Sequence, residues 1–172
     1  MAKRVNVAAA VPPNPSGASP LFLREPELRR GMELLYFAYG YLTRASDRDL
    51  AGHGLGRAHH RALYFIARKP DLTVSELLAL LAITKQSLGR VLTDLGDRQL
   101  VESRAGEKDR RQRLLRLTPE GAKLESNLFD AARQRVAAAY ARAGQQAVSG
   151  YWTVLEGMIP EDERAPIDAL SR

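Results

Sequence analysis

The fold is decided by residues 84–118, which read TKQSLGRVLTDLGDRQLVESRAGEKDRRQRLLRLT. The pattern predicts one amphipathic helix, followed by two short strands joined by an arginine-rich loop. Nine basic and five acidic residues fall in this stretch, so it carries a net +4 of the chain's formal +6. Each cation that pairs with a phosphate releases condensed counterions, so charge concentrated on a helix and a hairpin tip favours a polyanion. The stretch therefore predicts a winged helix that binds DNA.

The helix in this stretch has an apolar face and a polar face. At about 100° per residue, the apolar face consists of Leu88, Val91, Leu92 and Leu95. The polar face consists of Gln86, Arg90, Thr93 and Asp97, with Ser87 on its flank. Gln86 and Arg90 should point outward one turn apart near the N-terminal end, where a recognition helix meets base edges. Glutamine pairs bidentately with adenine and arginine with guanine, while Lys85 and the N-terminus capped by Thr84 favour phosphate. An ordinary solvated polar face remains the alternative for this helix taken alone.

The two strands are predicted at Leu100–Arg104 and Arg113–Thr118, with the polar tip AGEKDRRQ between them. Asp109 stands two residues before Arg111, a spacing that puts both on one side of a hairpin. There the carboxylate can fix the direction of the arginine without neutralising the whole loop. An arginine held at a hairpin tip suits the narrow, electronegative minor groove. The alternative is a surface ion pair that contributes little energy.

The residues before the recognition helix complete a helix-turn-helix outline. Thr73-Val74-Ser75-Glu76 has the form of a capping box, which predicts a short helix ending near Leu81. Thr84 is the predicted N-cap of the next helix. Two short helices joined by a tight turn are typical of this motif. A further helix is predicted over Arg57–Arg68, after the glycine-rich link AGHGLG.

Apolar helices flank this motif on both sides. The helix predicted over Glu27–Arg48 is apolar around most of its circumference, which one small domain cannot cover. After Thr118 as a cap and Pro119 at the first helical position, a long helix is predicted to about Arg142. Another helix should follow Gly144. We expect these helices to form a dimerisation lobe covered by a second subunit.

From about Leu55 to Gly121, and more loosely on either side, the chain resembles the MarR family of winged-helix transcription regulators. The resemblance is carried by LTVSELLALLAITKQSLGRVLTDL, LVESR and DRRQRLLRLTPEG. Its most specific element is Asp109-x-Arg111 followed by Leu117-Thr118-x-x-Gly121. The resemblance implies a homodimer, triangular in outline with interleaved helices, in which each winged helix reads half of a pseudo-palindromic operator. It leaves open whether the protein is a repressor or an activator.

One departure from the family concerns Gln99, where members commonly have glycine. A glycine at this point serves as the left-handed cap of the recognition helix. Gln99 must therefore either adopt the left-handed conformation at some cost, or the helix ends differently.

The resemblance also suggests where a small-molecule site would lie, and the sequence leaves open whether this protein has an effector. Ligand-responsive members bind small aromatic or phenolic molecules between the dimerisation helices and the DNA-binding lobe. The residues expected to line such an effector pocket are Tyr36, Tyr39, His59, His60 and Tyr64.

The fold is thus predicted to be mainly α with a small β-wing (α+β). We expect a disordered N-terminal tail (1–20), an N-terminal dimerisation helix (21–50), a winged helix-turn-helix DNA-binding domain (55–118) and C-terminal dimerisation helices (119–172). The residues predicted to contact DNA are Thr84, Lys85, Gln86, Ser87, Arg90, Arg104, Lys108, Asp109, Arg110, Arg111 and Arg113.

Other function classes receive little support from the sequence. The sequence does not place a nucleophile, a base and an orienting group in a recognisable catalytic arrangement, so an enzyme is not expected. A cofactor is not expected either. His59 and His60 are adjacent and should point about 100° apart on a helix, so no metal site is expected. No apolar run approaches the roughly 20 residues needed to span a bilayer, and we expect a cytoplasmic protein. The alternative function is a helical interaction protein whose basic wing binds an acidic partner other than DNA.

Overall fold

The structure is a computed structural model that describes residues 23–106 and 109–170, with residue 45 described by its backbone alone. Its α-helices are α1 (Glu25–Gly52), α2 (Arg57–Arg68), α3 (Val74–Leu81), α4 (Lys85–Asp97), α5 (Pro119–Ala143), α6 (Gln145–Gly157) and α7 (Ala165–Asp168). Its strands are β1 (Leu72–Thr73), β2 (Val101–Ala105) and β3 (Arg113–Leu117). The predicted mainly helical fold with a small β-wing is confirmed. The predicted tail of residues 1–20 lies outside the described residues.

The first helix is longer than the sequence predicted. It was expected to end at Arg48, before the glycine-rich link, but it continues to Gly52. Leu50 explains the extension, because its side chain is completely buried in the core and holds the last turns of the helix in place. The boundary between two compact units falls inside this helix, after Gly40.

The sheet is antiparallel, with strand order β1-β3-β2. Val101 of β2 pairs with Leu117 of β3, and Ala105 pairs with Arg113 at the other end of the hairpin. The central strand β3 also pairs with β1, where Leu72 lies opposite Leu115. The sequence did not predict β1, because two residues are too few to show the alternation that identifies a strand. This third strand connects the wing to the start of the helix-turn-helix.

Side-chain caps begin three helices where the sequence predicted them. Thr73 Oγ1 accepts the backbone N–H of Glu76 (3.2 Å), and Glu76 Oε2 accepts the N–H of Thr73 (2.6 Å), so the capping box is complete. Thr84 Oγ1 accepts the N–H of Ser87 (3.2 Å) and starts α4. Thr118 Oγ1 accepts the N–H of Gly121 (3.0 Å) and starts α5. These bonds satisfy donors that have no partner within the helix.

The junction of the wing with α5 explains the Leu-Thr-x-x-Gly element. Gln99 does adopt the left-handed conformation (φ 55°), at the cost expected for a side chain there. The Thr118 hydroxyl donates to the Gln99 carbonyl at 2.6 Å and helps to hold it. A Cβ added to Gly121 would lie 1.9 Å from the Leu100 carbonyl oxygen, so no side chain fits there. The backbones of α5 and the start of β2 therefore pack in direct contact.

The hydrophobic core lies between the helices of the second unit and the sheet. Its most buried side chains include Leu50, Leu63, Ile66, Leu72, Leu77, Leu81, Leu88, Leu95, Leu115 and Leu128. The predicted apolar face of α4 is confirmed, since Leu88, Val91 and Leu95 are buried and Gln86 and Arg90 are exposed. Among the described helices, none has the length and apolar character that a membrane crossing requires.

Candidate nucleic-acid interface

The exposed face of α4 presents three side chains that are available to a ligand. Lys85, Gln86 and Arg90 are exposed, and none of them forms an ion pair or side-chain hydrogen bond with another described residue. Thr84 and Ser87 differ, because their side chains are hydrogen-bonded to each other: the Thr84 hydroxyl donates to Ser87 Oγ at 2.9 Å. The structure therefore assigns Thr84 and Ser87 to the helix cap and leaves the other three side chains to face solvent.

The base of the wing is fixed by an acid that the sequence analysis overlooked. Asp71 Oδ2 lies 2.6 Å from Arg116 Nη2 and 3.0 Å from Arg104 Nη2. The hydrogen bond from Arg116, with the charge of Arg104, lowers the pKa of the Asp71 carboxyl below its ordinary value. Asp71 itself precedes β1 and donates its N–H to the Leu115 carbonyl at 2.9 Å. Its role depends on β1 pairing with β3, so the chain pattern around Lys69-Pro70-Asp71 carried no signal for it.

The tip of the wing is organised by Asp109, but not through a side-chain ion pair. Asp109 Oδ1 accepts the backbone N–H of Arg111 (2.9 Å), and the Asp109 carbonyl accepts the N–H of Gln112 (3.0 Å). The sequence suggested that the carboxylate would hold the arginine directly. The structure shows that it holds the turn that carries the arginine, as aspartate commonly does in loops. The Arg111 guanidinium has no ion pair among the residues that the structure describes.

Apart from the cap residues Thr84 and Ser87 and the turn residue Asp109, the predicted contact residues separate into three groups. Lys85, Gln86 and Arg90 lie exposed on α4, and Arg110, Arg111 and Arg113 lie exposed on the wing. Arg104 is exposed but is paired with Asp71. Lys108 lies outside the described residues. The exposed groups are cations and amide donors on the two elements that a winged helix uses for DNA.

A cavity of about 450 Å³ lies beside α2, within the second unit. Its wall is almost entirely apolar and includes Tyr64, Phe65, Phe129, Val136 and Tyr140. His60, Arg61 and Ser46 also line it. The Ser46 hydroxyl is buried and has no hydrogen-bond partner among the described residues. A buried hydroxyl without a partner is costly, and a ligand with a polar group can supply the missing bond.

The five residues predicted for an effector pocket do not all lie at this cavity. His60 and Tyr64 line it. The imidazole of His59 instead contacts Asp94 of α4, with Nε2 3.1 Å from Oδ2. Tyr36 and Tyr39 belong to the first unit and are exposed there. Burial lowers the pKa of His60 below its ordinary value, partly offset by the charge of Asp47, so the ring that faces the cavity is held toward its neutral form.

Comparisons with known proteins agree with this geometry. A model of the MarR family matches residues 53–112. The HTH-type transcriptional regulator PetP of Rhodobacter capsulatus is 52% identical over 145 residues, which cover 84% of this chain and 87% of that protein. No cluster of three or more metal-binding side chains occurs among residues 23–106 and 109–170.

The fold is also found in solved structures. A mutant MarR from E. coli complexed with operator DNA has a TM-score of 0.58 and 20% identity, covering 83% of this chain and all (100%) of that chain. NadR in complex with 4-hydroxyphenylacetate has a TM-score of 0.60 and 21% identity, covering 86% of this chain and 97% of that chain.

Proposed function

This chain belongs to the MarR family of transcription regulators, and we propose that as a homodimer it binds a pseudo-palindromic operator in double-stranded DNA. The observation that carries the proposal is the exposed set Lys85, Gln86 and Arg90 on a helix whose opposite face is buried. Gln86 and Arg90 have the chemistry to read adenine and guanine in the major groove, and Lys85 to contact phosphate. The operator-bound MarR structure of similar fold supports this placement.

The wing supplies the second part of the interface. Arg110, Arg111 and Arg113 extend from a hairpin whose base is fixed by Asp71 and whose tip is fixed by Asp109. Because the hairpin is held at both ends, less conformational entropy is lost when its arginines enter a groove. We assign Arg111 to the minor groove, and Arg104, given its pair with Asp71, to positioning as well as to phosphate contact.

A second subunit is proposed to cover the apolar side chains of α1 and α6. Large apolar residues on these helices are exposed in the single chain, among them Tyr36, Phe37, Tyr151, Trp152 and Val154. Several large apolar side chains exposed on one helix, as each of these helices shows, mark an interaction site. A copy of the same chain is the simplest cover, and two copies would place two recognition helices on two half-sites.

The cavity beside α2 is proposed as the site of a small-molecule effector. Its volume and apolar wall suit a molecule with one aromatic ring, and the Ser46 hydroxyl can bond one polar group on it. The NadR complex with 4-hydroxyphenylacetate supports a ligand of this class. Titration with 4-hydroxyphenylacetate as a probe should raise the melting temperature of the wild type, and should do so less for Ala137→Phe, which fills the cavity.

Selection of duplexes from a random DNA pool tests the DNA-binding function. We expect a two-fold-related consensus, bound by a dimer, with an affinity that falls steeply as salt rises. Polyglutamate is the control, a polyanion that is not DNA. Added at the same concentration of negative charge as the selected duplex, it should not compete with that duplex for the protein. Equal binding of polyglutamate and the selected duplex would favour the alternative of a general acidic partner. We propose a cytoplasmic location, because chromosomal DNA is the partner that the proposed function requires.

A further inference from the structure

The recognition helix is held by apolar packing on one side only. Leu88, Val91 and Leu95 fill the core, and such contacts are non-directional, so they permit a small rotation of α4 about its own axis. Gln86 and Arg90 would move together in that rotation, since both extend from the exposed face. Base readout depends on the direction of hydrogen bonds, which weaken steeply when misaligned. A directional contact on the flank of α4 is therefore needed to fix its rotation.

His59 supplies such a contact. It occupies the third position of α2, and its Nδ1 lies 3.1 Å from the backbone nitrogen of Gly56, the N-cap residue. Its Nε2 lies 3.1 Å from Asp94 Oδ2 on α4. The imidazole therefore bridges the beginning of α2 and the second half of the recognition helix. The ring is largely buried, with 15% of the side chain exposed.

The two contacts assign the tautomer of the ring. The backbone N–H of Gly56 can only donate, so Nδ1 must be the unprotonated acceptor. The ring hydrogen then resides on Nε2, where it donates to the Asp94 carboxylate. A donor aimed at an ionised acceptor is stronger than a neutral pair.

A second polar contact anchors the C-terminal end of the same helix. Arg98 Nε donates to the His53 carbonyl at 3.3 Å, and Arg98 Nη1 donates to the Asp94 carbonyl at 3.1 Å. The first contact connects the end of α4 to the chain between α1 and α2, and the second links Asp94 and Arg98, which are one turn apart at the end of α4. Asp94 is in turn one turn beyond Arg90, on the same side of the helix.

We propose that His59 is a positioning residue that fixes the rotation of the recognition helix through Asp94, so that Gln86 and Arg90 meet the base edges in one orientation. The inference rests on the proposed DNA-binding function. It assigns a role in sequence discrimination to a residue that does not itself face the DNA. His60, the next residue, lines the cavity, so one turn of α2 carries both the cavity wall and the contact with α4.

Two substitutions of His59 separate its two hydrogen bonds. In His59→Asn, the amide oxygen can still accept the Gly56 N–H, but the side chain is too short to reach Asp94. In His59→Gln, the longer amide can still donate to Asp94. Asp47→Asn is the matched control, because Asp47 forms an ion pair with Arg57 (2.7 Å) at the same end of α2 but has no contact with α4.

The measured quantity is the ratio of the dissociation constants for a random duplex and for the duplex selected by the wild type. We expect His59→Asn to lower this ratio by about three- to tenfold, the size of the effect that residues without ligand contact have on coupling. His59→Gln and Asp47→Asn should stay within about twofold of the wild type. Affinity for the random duplex, which depends on phosphate contacts, should change little in all three.

Asp94→Ala and a spectroscopic measurement complete the test. Asp94→Ala removes the same hydrogen bond from its other end, so it should lower the ratio equally, and the double variant with His59→Asn should be no worse than either single variant. The imidazole nitrogen shifts of the free wild-type protein should show the Nε2–H tautomer for His59.

Three outcomes overturn the inference: an unchanged ratio in His59→Asn, an equal loss in the Asp47→Asn control, or additive losses in the double variant. A selection that yields no preferred duplex overturns the proposed function itself, which the His59 variants alone do not affect.

Discussion

The winged helix-turn-helix and the two flanking helices α1 and α6 differ in how far their apolar side chains are buried. In the first region, Leu63, Leu88 and Leu115 are 0%, 1% and 2% exposed. In the second, Phe37 is 65% exposed and Trp152 is 52% exposed, although both are larger. The first region completes its core within one chain. The second region presents its apolar surface to solvent.

Stability and assembly therefore depend on different parts of this chain. A side chain fully removed from water contributes roughly 1.5–3 kcal/mol to the free energy of unfolding. A half-exposed one leaves much of that contribution to be gained when a partner covers it. The core of the DNA-binding lobe is therefore completed within one chain, with Leu50 of α1 and Leu128 of α5 included, whereas in the proposed dimer the presentation of two lobes to one operator depends on the second region.

The largest expected effect comes from placing a charge in the exposed apolar region. Phe37→Glu and Trp152→Glu should each convert the dimer to a monomer, because a buried carboxylate without a partner opposes association. Affinity for the full operator should fall by about 100-fold or more, since the gain from linking two half-sites is lost. Light scattering and DNA titration measure the two effects.

Glu33→Gln on α1 is the matched control, because Glu33 is already exposed and polar. It should remain a dimer. A monomer mass for the wild type at micromolar concentration would contradict the paired half-site arrangement and the assembly role of the exposed apolar side chains.

A smaller effect is expected at the recognition helix, which belongs to the region whose core is completed within one chain. Arg90→Ala and Gln86→Ala should each cost roughly 1–3 kcal/mol of discrimination at one base pair if the contact is bidentate. Lys85→Ala is the contrasting variant: it should weaken all duplexes equally and reduce the salt slope by about one unit. Discrimination that survives in Arg90→Ala would show that α4 faces the DNA in another orientation.

Three substitutions in the wing, one of Arg111 and two of Asp109, test the role of the Asp109 carboxylate. Arg111→Ala should lower operator affinity while leaving dimerisation and folding unchanged. Asp109→Ala should also lower it, because the acceptor for the Arg111 N–H is lost and the turn loosens. Asp109→Asn keeps an acceptor oxygen and removes only the negative charge, so it should retain affinity or increase it.

The sign of the Asp109→Ala effect decides between the two readings of the wing. Coulomb repulsion alone predicts tighter binding for both Asp109 variants, measured at moderate salt. Tighter binding by Asp109→Ala would mean that the carboxylate only repels phosphate and does not shape the tip.

Much of this fold could be predicted because its signals are local in the chain. The caps at Thr73, Thr84 and Thr118 lie within three residues of the groups they bond, and the spacing of apolar residues gave the buried face of α4. Features formed by residues distant in the chain could not be predicted. Asp71 meets Arg116 across 45 residues, and β1 exists only because β3 pairs with it.

The candidate site divides in the same way. The exposed residues of α4 followed from helical periodicity, whereas the partner of His59 did not. His59 and His60 are neighbours with opposite environments, one bonded to Asp94 and one lining the cavity. Only the packing of α2 against α4 and α5 distinguishes them.

The smallest expected effect concerns His60 and the dependence of stability on pH. Because burial lowers the pKa of His60 in the folded protein, the unfolded chain binds a proton at higher pH than the folded chain does. The unfolding free energy should therefore fall as pH drops below the ordinary histidine value of about 6.5, until the folded pKa is reached. In His60→Gln this decrease should be smaller between pH 7.5 and pH 5, as measured by denaturant unfolding.

Asp47→Asn is the opposing variant. It removes the carboxylate that raises the pKa of His60, so the folded pKa should fall further and the decrease in unfolding free energy should extend to lower pH. An identical pH dependence in the wild type and His60→Gln would show that water reaches the His60 ring. The cavity wall would then be less well shielded from water than the hydrophobic core of the same lobe.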